Sequence, residues 1–223
     1  MNIGLVFNGI IKYLIGLIIV GLLIFIPAGS FGYFNGVLFM ILLFVPMLLV
    51  GIFLIIKNPD LLKRRLDSKE NEKEQKLVVL FSSLMFIISF ILAGLNYRYA
   101  WFVMPNIIVI IASVLFLVSY VLYFKVLIDN EYLYRTIKVD NKQKLIDTGL
   151  YGIVRHPMYM ITIIMFLMIP LILGSVLSFI IFLIYPVIII KRIKNEEKVL
   201  EKEFKGYKEY EKKVKYKLIP YIW

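Results

Sequence analysis

The chain of 223 residues is 61% hydrophobic and 18% charged, with a mean hydropathy of +0.86 and a formal net charge of +11. One soluble core could not bury this much apolar surface, so the composition predicts an integral membrane protein. The sequence contains no cysteine and one histidine, which excludes disulfides, a thiolate nucleophile and any metal site made from cysteines or several histidines.

Four apolar segments in the first half of the chain have, or nearly have, the roughly 20 residues that a membrane helix needs. In chain order they are residues 13–26, 37–56, 77–95 and 105–124. The first segment reaches sufficient length only when residues 9–12 extend it. We interpret it as a retained membrane helix, because the basic n-region and cleavage site of a signal peptide do not accompany it.

A fifth apolar region, residues 158–190, is too long for one span and contains a break at Gly174 and Ser175. Two helices of about 16 residues would each reach about 24 Å, somewhat short of a full crossing. The region is therefore predicted to form a tight hairpin that is tilted or partly re-entrant. Pro170 and Pro186 fall inside its helices, where neighbouring helices or water must replace the lost backbone hydrogen bonds.

The distribution of charge predicts the orientation in the membrane. Residues 57–76, 125–155 and 191–217 contain 24 of the 26 basic residues and all 15 acidic residues. By the positive-inside rule these segments and both termini are cytoplasmic. The positive balance thus reflects topology and attraction to anionic lipid. Because no nucleic-acid-binding motif is present, we expect membrane lipids and not nucleic acid as partners.

The single histidine lies in the stretch GLYGIVRHPMYM, residues 149–160. Its two glycines, Gly149 and Gly152, indicate a turn where backbone comes close to another group. Pro157 is favourable in the first turn of a helix, so the first helix of the hairpin is predicted to begin there with His156 at its cap.

Polar side chains surround this predicted helix start. The free N–H groups of the first turn would lie beside Arg155 and His156, which favours an anionic ligand. Tyr159 adds an aromatic ring and a hydroxyl at the depth of the membrane interface. The alternative is that these side chains only anchor the helix at the interface.

Residues 191–214 follow the hairpin and have the pattern of an amphipathic helix. Glu196 falls on the apolar stripe, Arg192 lies one turn before it, and Glu197 lies nearer the edge of the stripe. These charges are costly on an apolar face unless each has a partner, which is either the other charge, water or a ligand. The stripe consists of Ile193, Leu200, Phe204, Tyr207 and Val214.

The stretch GLYGIVRHPMY, followed after the hairpin by RIKNEEKVLEKEFKGYKEYEKKVKYKLIP, resembles the isoprenylcysteine carboxyl methyltransferase family and its relatives among integral membrane phospholipid methyltransferases. The resemblance covers about residues 142–220. It implies transfer of a methyl group from S-adenosylmethionine, held in a cytoplasmic pocket, to a lipophilic acceptor that enters from the bilayer.

The resemblance also implies the roles of individual residues. Arg192 matches the position that contacts the acceptor, and we hypothesise that it holds an anionic acceptor. Family members often have a histidine where this chain has Gln143. The implied contacts to the cofactor are Gln143, Lys144, Leu145, Ile146, Tyr151, His156, Pro157, Met158, Tyr159 and Glu196.

Together these observations predict an all-α integral membrane protein with five to six transmembrane helices, of which the last two form the hairpin, and an amphipathic C-terminal helix on the cytoplasmic side. Residues 1–124 are expected to form the N-terminal transmembrane helices, with a cytoplasmic loop at 57–76. Residues 125–223 are expected to form the catalytic region, with the cofactor-binding loop, the hairpin 158–190 and the C-terminal helix. The isoleucine- and lysine-rich composition, without an organelle signal, predicts a prokaryotic plasma membrane.

Two other functions fit parts of the sequence. The closing VKYKLIPYIW is similar to the last residues of membrane sterol and enone reductases, which would bind NADPH. A non-catalytic membrane scaffold or transport protein is the other alternative, although the spans within residues 13–124 contain no charge that could mark an ion path. The acceptor also stays open among an isoprenylated cysteine, a phospholipid amine, a quinone-like or isoprenoid lipid and a small lipophilic carboxylate.

Overall fold

The computed structural model describes residues 3–67, 72–136 and 145–223. Within these ranges the chain is helical and contains no β-strand. Five helical segments are long and apolar enough to cross a membrane, so the predicted all-α integral membrane protein is confirmed. The helices are α1 (Ile3–Ala28), α2 (Phe34–Lys57), α3 (Pro59–Leu66), α4 (Lys73–Tyr99), α5 (Asn106–Asp129), α6 (Pro157–Ile172), α7 (Val176–Phe182), α8 (Tyr185–Glu203) and α9 (Tyr207–Lys213).

The first four predicted spans correspond to α1, α2, α4 and α5, and each helix is longer than its apolar segment. Helix α4, for example, begins at Lys73 and ends at Tyr99, beyond the apolar residues 77–95. A helix that continues to the interface satisfies its own backbone hydrogen bonds throughout the hydrocarbon region. The apolar runs in the sequence therefore predict that these spans exist, but they underestimate the length of the helices.

The hairpin has the predicted break but not two equal helices. Its first helix, α6, has 16 residues and is followed by Gly174 at φ +72. Ser175 then caps α7 by accepting a hydrogen bond from the amide of Ser178 at 3.3 Å. The second half is interrupted again by a turn at residues 183–184. Pro186 was predicted to lie inside a helix, but it lies in the first turn of α8. Helices α7 and α8 together form one candidate span, Val176–Glu203.

The single amphipathic helix predicted over residues 191–214 is wrong. Helix α8 continues from the membrane segment to Glu203 without a break, and the chain then turns into the short α9. The turn forms at Gly206, which has φ +89, a left-handed conformation that glycine adopts at little cost. Tyr207 and Val214 are nevertheless buried, as expected for members of the apolar stripe.

The polar ends of the helices meet at one end of the bundle, which we name the charged end: the described residues within 57–76, 125–157 and 191–217. Hydrogen bonds join its segments directly, from Arg64 to the carbonyl of Glu131 at 2.8 Å and from Gln75 to the carbonyl of Arg192 at 3.3 Å. Helix α6 packs along α5, and α7 and α8 pack against α4. This packing places the start of α6 next to the charged part of α8.

Candidate active site

A tight turn leads into α6. Residues Gly149–Gly152 form a short 3-10 helix in which Gly149 has φ +58. A Cβ added at Gly152 would lie 3.0 Å from the carbonyl oxygen of Asp147, which is closer than side chains normally approach. The turn predicted from the two glycines is thus confirmed, with the local backbone as the group that comes close.

The residues just before α6 bind the C-terminal segment of the chain. The amide of Arg155 donates to the carbonyl of Tyr216 at 2.9 Å, and the amide of His156 donates to the carbonyl of Lys217 at 2.8 Å. The Arg155 guanidinium donates from Nη1 to the carbonyl of Val214, also at 2.9 Å. These bonds satisfy backbone groups that would otherwise be buried without partners, and they fix both segments around the helix start.

A buried ionic network lies behind the helix start, with Glu197 at its centre. The Glu197 side chain is 3% exposed and accepts hydrogen bonds from Arg155 Nε at 2.9 Å and from Lys217 Nζ. His156 Nε2 lies 3.2 Å from the same carboxylate oxygen as Arg155. Sequence analysis placed Glu197 at the edge of the stripe and missed this role. The sequence did contain a signal for this role, because Glu197 follows Ile193 of the apolar stripe by one helical turn. In the structure Ile193 is fully buried.

The Tyr159 hydroxyl connects the two charged residues that the sequence placed on the apolar stripe. It donates to Glu196 Oε2 at 2.5 Å and accepts from Arg192 Nε at 2.8 Å. The ring of Tyr159 stacks against His156, with ring centroids 5.7 Å apart. Arg192 Nη2 also donates to the carbonyl of Arg135 at 2.8 Å. Glu196 and Arg192 therefore lie on either side of one tyrosine hydroxyl.

A first cavity lies at the charged end, between the tight turn, the start of α6, α8 and α9. Its lining includes eight of the residues that sequence analysis assigned to the cofactor. Two others, Gln143 and Lys144, lie outside the described residues. Arg192, assigned to the acceptor, does not line this cavity. The eight are Leu145, Ile146, Tyr151, His156, Pro157, Met158, Tyr159 and Glu196.

Sequence analysis missed other side chains of the first cavity. Residues 130–136, which follow α5, contribute Tyr134 and Thr136, and the far wall includes Leu200 and Phe204 of the predicted stripe. The Thr136 hydroxyl is buried and has no hydrogen-bond partner within the described part of the chain. Such a group is costly in a dry site and is available to a ligand.

Tyrosines form much of the cavity wall. Burial raises the pKa of Tyr151 and of Tyr207, and for Tyr207 the nearby carboxylate of Glu197 raises it further. Both hydroxyls therefore stay protonated at neutral pH. The wall offers neutral hydroxyls and aromatic faces, while Glu196 is its carboxylate.

A second cavity adjoins the first and extends from the charged end along α4, α6 and α8. Its wall includes Arg192, and it shares Tyr134, Thr136, Met158 and Tyr159 with the first cavity. Sequence analysis predicted none of the residues that α3 and α4 contribute to it. No local pattern marks them, because they form a site only through the packing of α4 against α6 and α8.

Comparison with known proteins finds one family whose model matches part of the chain. Residues 101–206 match the model of the phospholipid methyltransferase family, PEMT. No curated protein shows significant similarity to the chain. The matched residues contain the tight turn, the start of α6, Tyr159, Arg192 and Glu196, which carry part of the predicted resemblance. Residues 207–220, on which it also depended, lie outside the match. Residues 101–206, slightly less than half of this membrane protein, are therefore similar to the phospholipid methyltransferase family, which is the family of the isoprenylcysteine carboxyl methyltransferase-like membrane enzymes.

Proposed function

We propose that the protein transfers a methyl group from S-adenosylmethionine to a lipophilic acceptor at the cytoplasmic face of the membrane. The observation that carries this proposal is the pair of cavities that share one wall, formed by Tyr134, Thr136, Met158 and Tyr159. A methyltransferase needs two binding sites whose contents can meet, one for a polar donor and one for the acceptor. The first cavity is suited to the donor, and the second is suited to a lipid.

The lining of the first cavity fits the chemistry of S-adenosylmethionine. Aromatic faces such as those of Tyr134 and Tyr151 attract a sulfonium cation, and the carboxylate of Glu196 adds a negative charge. Leu200 and Phe204 offer apolar surface to an adenine ring. The unpartnered hydroxyl of Thr136 is available to a polar group of the ligand.

When bound, S-adenosylmethionine would supply a methyl group on a positively charged sulfur, the electrophile of the reaction. The protein's own residues then have to orient the acceptor and exclude water, which can supply several kcal/mol of the barrier. No side chain has to act as nucleophile, because the acceptor does so. An acceptor carboxylate is already ionised at neutral pH and needs no general base.

The contacts of Tyr159 suggest how the two sites are kept in register. Its hydroxyl is held by Arg192 from the second cavity and donates to Glu196 in the first cavity. Glu196 retains its second oxygen, which could accept a ribose hydroxyl or pair with a cationic amine. Arg192 would hold an anionic acceptor near the shared wall.

The orientation belongs to the same proposal. The charged end has most of the lysines and arginines, and from the positive-inside rule we infer that it faces the cytoplasm, where S-adenosylmethionine is available. Val79, on the candidate membrane span α4, lines the second cavity and is 46% exposed, which suits an acceptor that arrives from the bilayer. Candidates for that acceptor include a prenylcysteine-like carboxylate and a membrane lipid.

A methyl-transfer assay tests this function. Purified protein is incubated with S-adenosylmethionine tritiated in the methyl group, together with fractionated membrane lipids or prenylcysteine analogues. We expect label in an organic-soluble product, and at least about a hundredfold less label when Arg192→Ala replaces the wild type. Binding of NADPH without binding of S-adenosylmethionine would instead support a membrane reductase, and binding of neither would support a scaffold.

A further inference from the structure

Residues 214–223, which we name the closing segment, follow α9 and bind the start of α6. The amide of Arg155 donates to the carbonyl of Tyr216 at 2.9 Å, and the amide of His156 donates to the carbonyl of Lys217 at 2.8 Å. Since α6 begins directly after His156, these bonds place the closing segment beside the first turn of that helix.

The start of α6 lies where the apolar part of the bundle ends. The Tyr159 hydroxyl donates to Glu196 and accepts from Arg192, so the start of α6 is level with this part of α8. Helix α8 has its first charged residue at Lys191, and Glu196 lies about 8 Å further along the helix. The headgroup region on each side of a bilayer is about 5–8 Å thick. The closing segment therefore lies at the level of the lipid headgroups.

The closing segment ends in a tight turn, residues 218–223, whose backbone is largely satisfied from within. The amides of Leu218 and Ile219 donate to the main-chain oxygen of Trp223, at 2.9 and 3.0 Å. The amides of Ile222 and Trp223 in turn donate to the carbonyl of Ile219, at 3.2 and 3.1 Å. A segment that leaves water for lipid must pair its backbone groups internally, and this turn meets most of that requirement.

The turn has one side on the bundle and one apolar side that the protein does not cover. Leu218 is buried in the main hydrophobic core, to which α6 also contributes, and Trp223 packs against that core. On the other side Tyr221 is 88% exposed, Ile222 is 78% exposed and Ile219 is 43% exposed. Large apolar side chains grouped in this way mark an interaction surface. A tyrosine beside aliphatic residues is typical of the membrane interface.

The charge next to the turn indicates which partner covers it. Lys208 and Lys212 lie one turn apart on α9 and are exposed, and Lys215 follows them. None of the three forms an ion pair with another residue in the described part of the chain. Residues 205–217 contain six lysines and two glutamates. A second copy of the chain would bring the same positive charge to this surface, whereas a membrane with anionic lipid would neutralise it.

We propose that the closing segment docks on the anionic surface of the membrane that the protein spans. The side chains of Ile219, Tyr221 and Ile222 insert among the lipid headgroups, and Lys212 and Lys215 bind lipid phosphates. The apolar side chains supply the insertion and the lysines supply the preference for anionic lipid.

This docking goes beyond the proposed function and does not rest on it, because it requires neither a methyl donor nor an acceptor. The closing segment also lies outside residues 101–206, so the family match does not assign it. It does connect the membrane surface to the first cavity. Lys217 contacts the buried Glu197, and the backbone bonds to Arg155 and His156 hold the start of α6. Docking would thus help to fix one wall of that cavity.

Site-directed spin labelling tests the proposal. Since the chain has no cysteine, a single introduced cysteine carries a nitroxide at a chosen position. Ile222→Cys reports on the turn, Leu115→Cys on the exposed side of α5 is the lipid reference, and Glu201→Cys on the exposed side of α8 is the water reference. Each full-length protein is reconstituted in nanodiscs of phosphatidylcholine, with and without phosphatidylglycerol. Power saturation then gives the accessibility of each label to oxygen, which concentrates in lipid, and to a neutral nickel chelate, which stays in water.

We expect the ratio of oxygen to nickel accessibility at residue 222 to lie between the two references and to exceed the water reference at least about threefold. The ratio should rise further when phosphatidylglycerol is present. Lys212→Gln/Lys215→Gln should abolish this rise, because each lysine near the surface adds attraction to anionic lipid. Lys198→Gln/Lys202→Gln, which removes the same charge from the exposed side of α8, should retain most of it.

Three results would overturn the proposal. The first is a ratio at residue 222 equal to the water reference in both bilayers, which would show that the turn stays in water. The second is the absence of any rise with phosphatidylglycerol, or an equal loss of the rise in both lysine variants. The third is spin–spin broadening at residue 222 that disappears on dilution with unlabelled protein, because a second copy of the chain would then cover the turn. Ile222 is largely exposed, so its replacement removes no core packing.

Discussion

Arg155 and Glu197 form an ion pair, Nε to Oε1 at 2.9 Å, although 42 residues separate them in the sequence. Their side chains are 6% and 3% exposed, so the pair is buried. Arg155 precedes α6 and Glu197 lies on α8, and the pair therefore joins the two helices at the end where both cavities lie. His156, beside Arg155, contacts the same carboxylate oxygen. The first cavity is built on this network.

Glu197→Gln should destabilise the protein strongly. The substitution keeps the shape of the side chain but removes the counter-charge of the buried Arg155 and the half-buried Lys217, and it leaves Arg155 only the more distant Glu211 at 3.4 Å. Breaking a buried pair in this way costs about 3–5 kcal/mol. For a protein of this size the Tm should fall by about 10 °C. Thermal denaturation in detergent measures the change. Glu201→Gln, at an exposed position of the same helix, should shift the Tm by no more than about 2 °C, and equal shifts for the two variants would show that the network does not stabilise the fold.

Gly174→Ala should weaken the hairpin. Gly174 has φ +72, and an added Cβ would lie 2.8 Å from Asn35 Nδ2. A left-handed conformation costs a non-glycine residue about 1–2 kcal/mol, so the Tm should fall by several degrees. Gly51→Ala is the matched control, since a Cβ there meets nothing within 4 Å and alanine favours the helix. A Tm for Gly174→Ala at or above that of Gly51→Ala would contradict the tight turn.

Tyr159→Phe should slow methyl transfer without unfolding the protein. It removes the hydroxyl that joins Arg192 to Glu196 and keeps the ring that stacks on His156. Loss of two hydrogen bonds to charged groups should reduce kcat by at least about tenfold. The measurement is steady-state methyl transfer. Tyr99→Phe is the control. Tyr99 is 58% exposed and lies at the end of α4 that is away from the charged end, so this variant should retain wild-type kcat. Wild-type kcat in Tyr159→Phe would show that this hydroxyl does not contribute to methyl transfer.

Arg192→Ala should separate transfer from cofactor binding. Arg192 lines the second cavity and not the first, so its loss should reduce transfer by at least about a hundredfold and change the Kd of S-adenosylmethionine by less than about threefold. Transfer is measured with tritiated donor, and the Kd by equilibrium dialysis. Lys191→Ala, at the exposed neighbouring position, should behave as wild type. If Arg192→Ala impairs transfer and binding equally, Arg192 does not act on the acceptor side alone.

The features that sequence analysis predicted correctly are local ones. The membrane spans follow from the length of apolar runs, and the start of α6 follows from Pro157. The hairpin break follows from Gly174, which adopts the left-handed conformation that only glycine tolerates well. Each of these signals resides in a few neighbouring residues, so the sequence displays it directly.

The features that it missed depend on distant segments. Glu197 was placed at the edge of the stripe because its partners, Arg155 and Lys217, belong to other parts of the chain. The helix predicted over residues 191–214 ignored Gly206, whose effect on a helix is decided by packing as well as by propensity. The second cavity needs Arg65 of α3 and Arg192 of α8 at the same place, and no periodicity in either helix indicates that they meet.

The most direct test of the account is photochemical cross-linking of tritiated S-adenosylmethionine to the wild-type protein, followed by peptide mapping. The account predicts that the label lies in peptides covering residues 145–159 or 196–210, which line the first cavity, and that unlabelled S-adenosylmethionine competes it away. Specific label confined to other peptides, or no specific label under conditions where the protein remains folded, would contradict the central claim that this cavity holds the methyl donor.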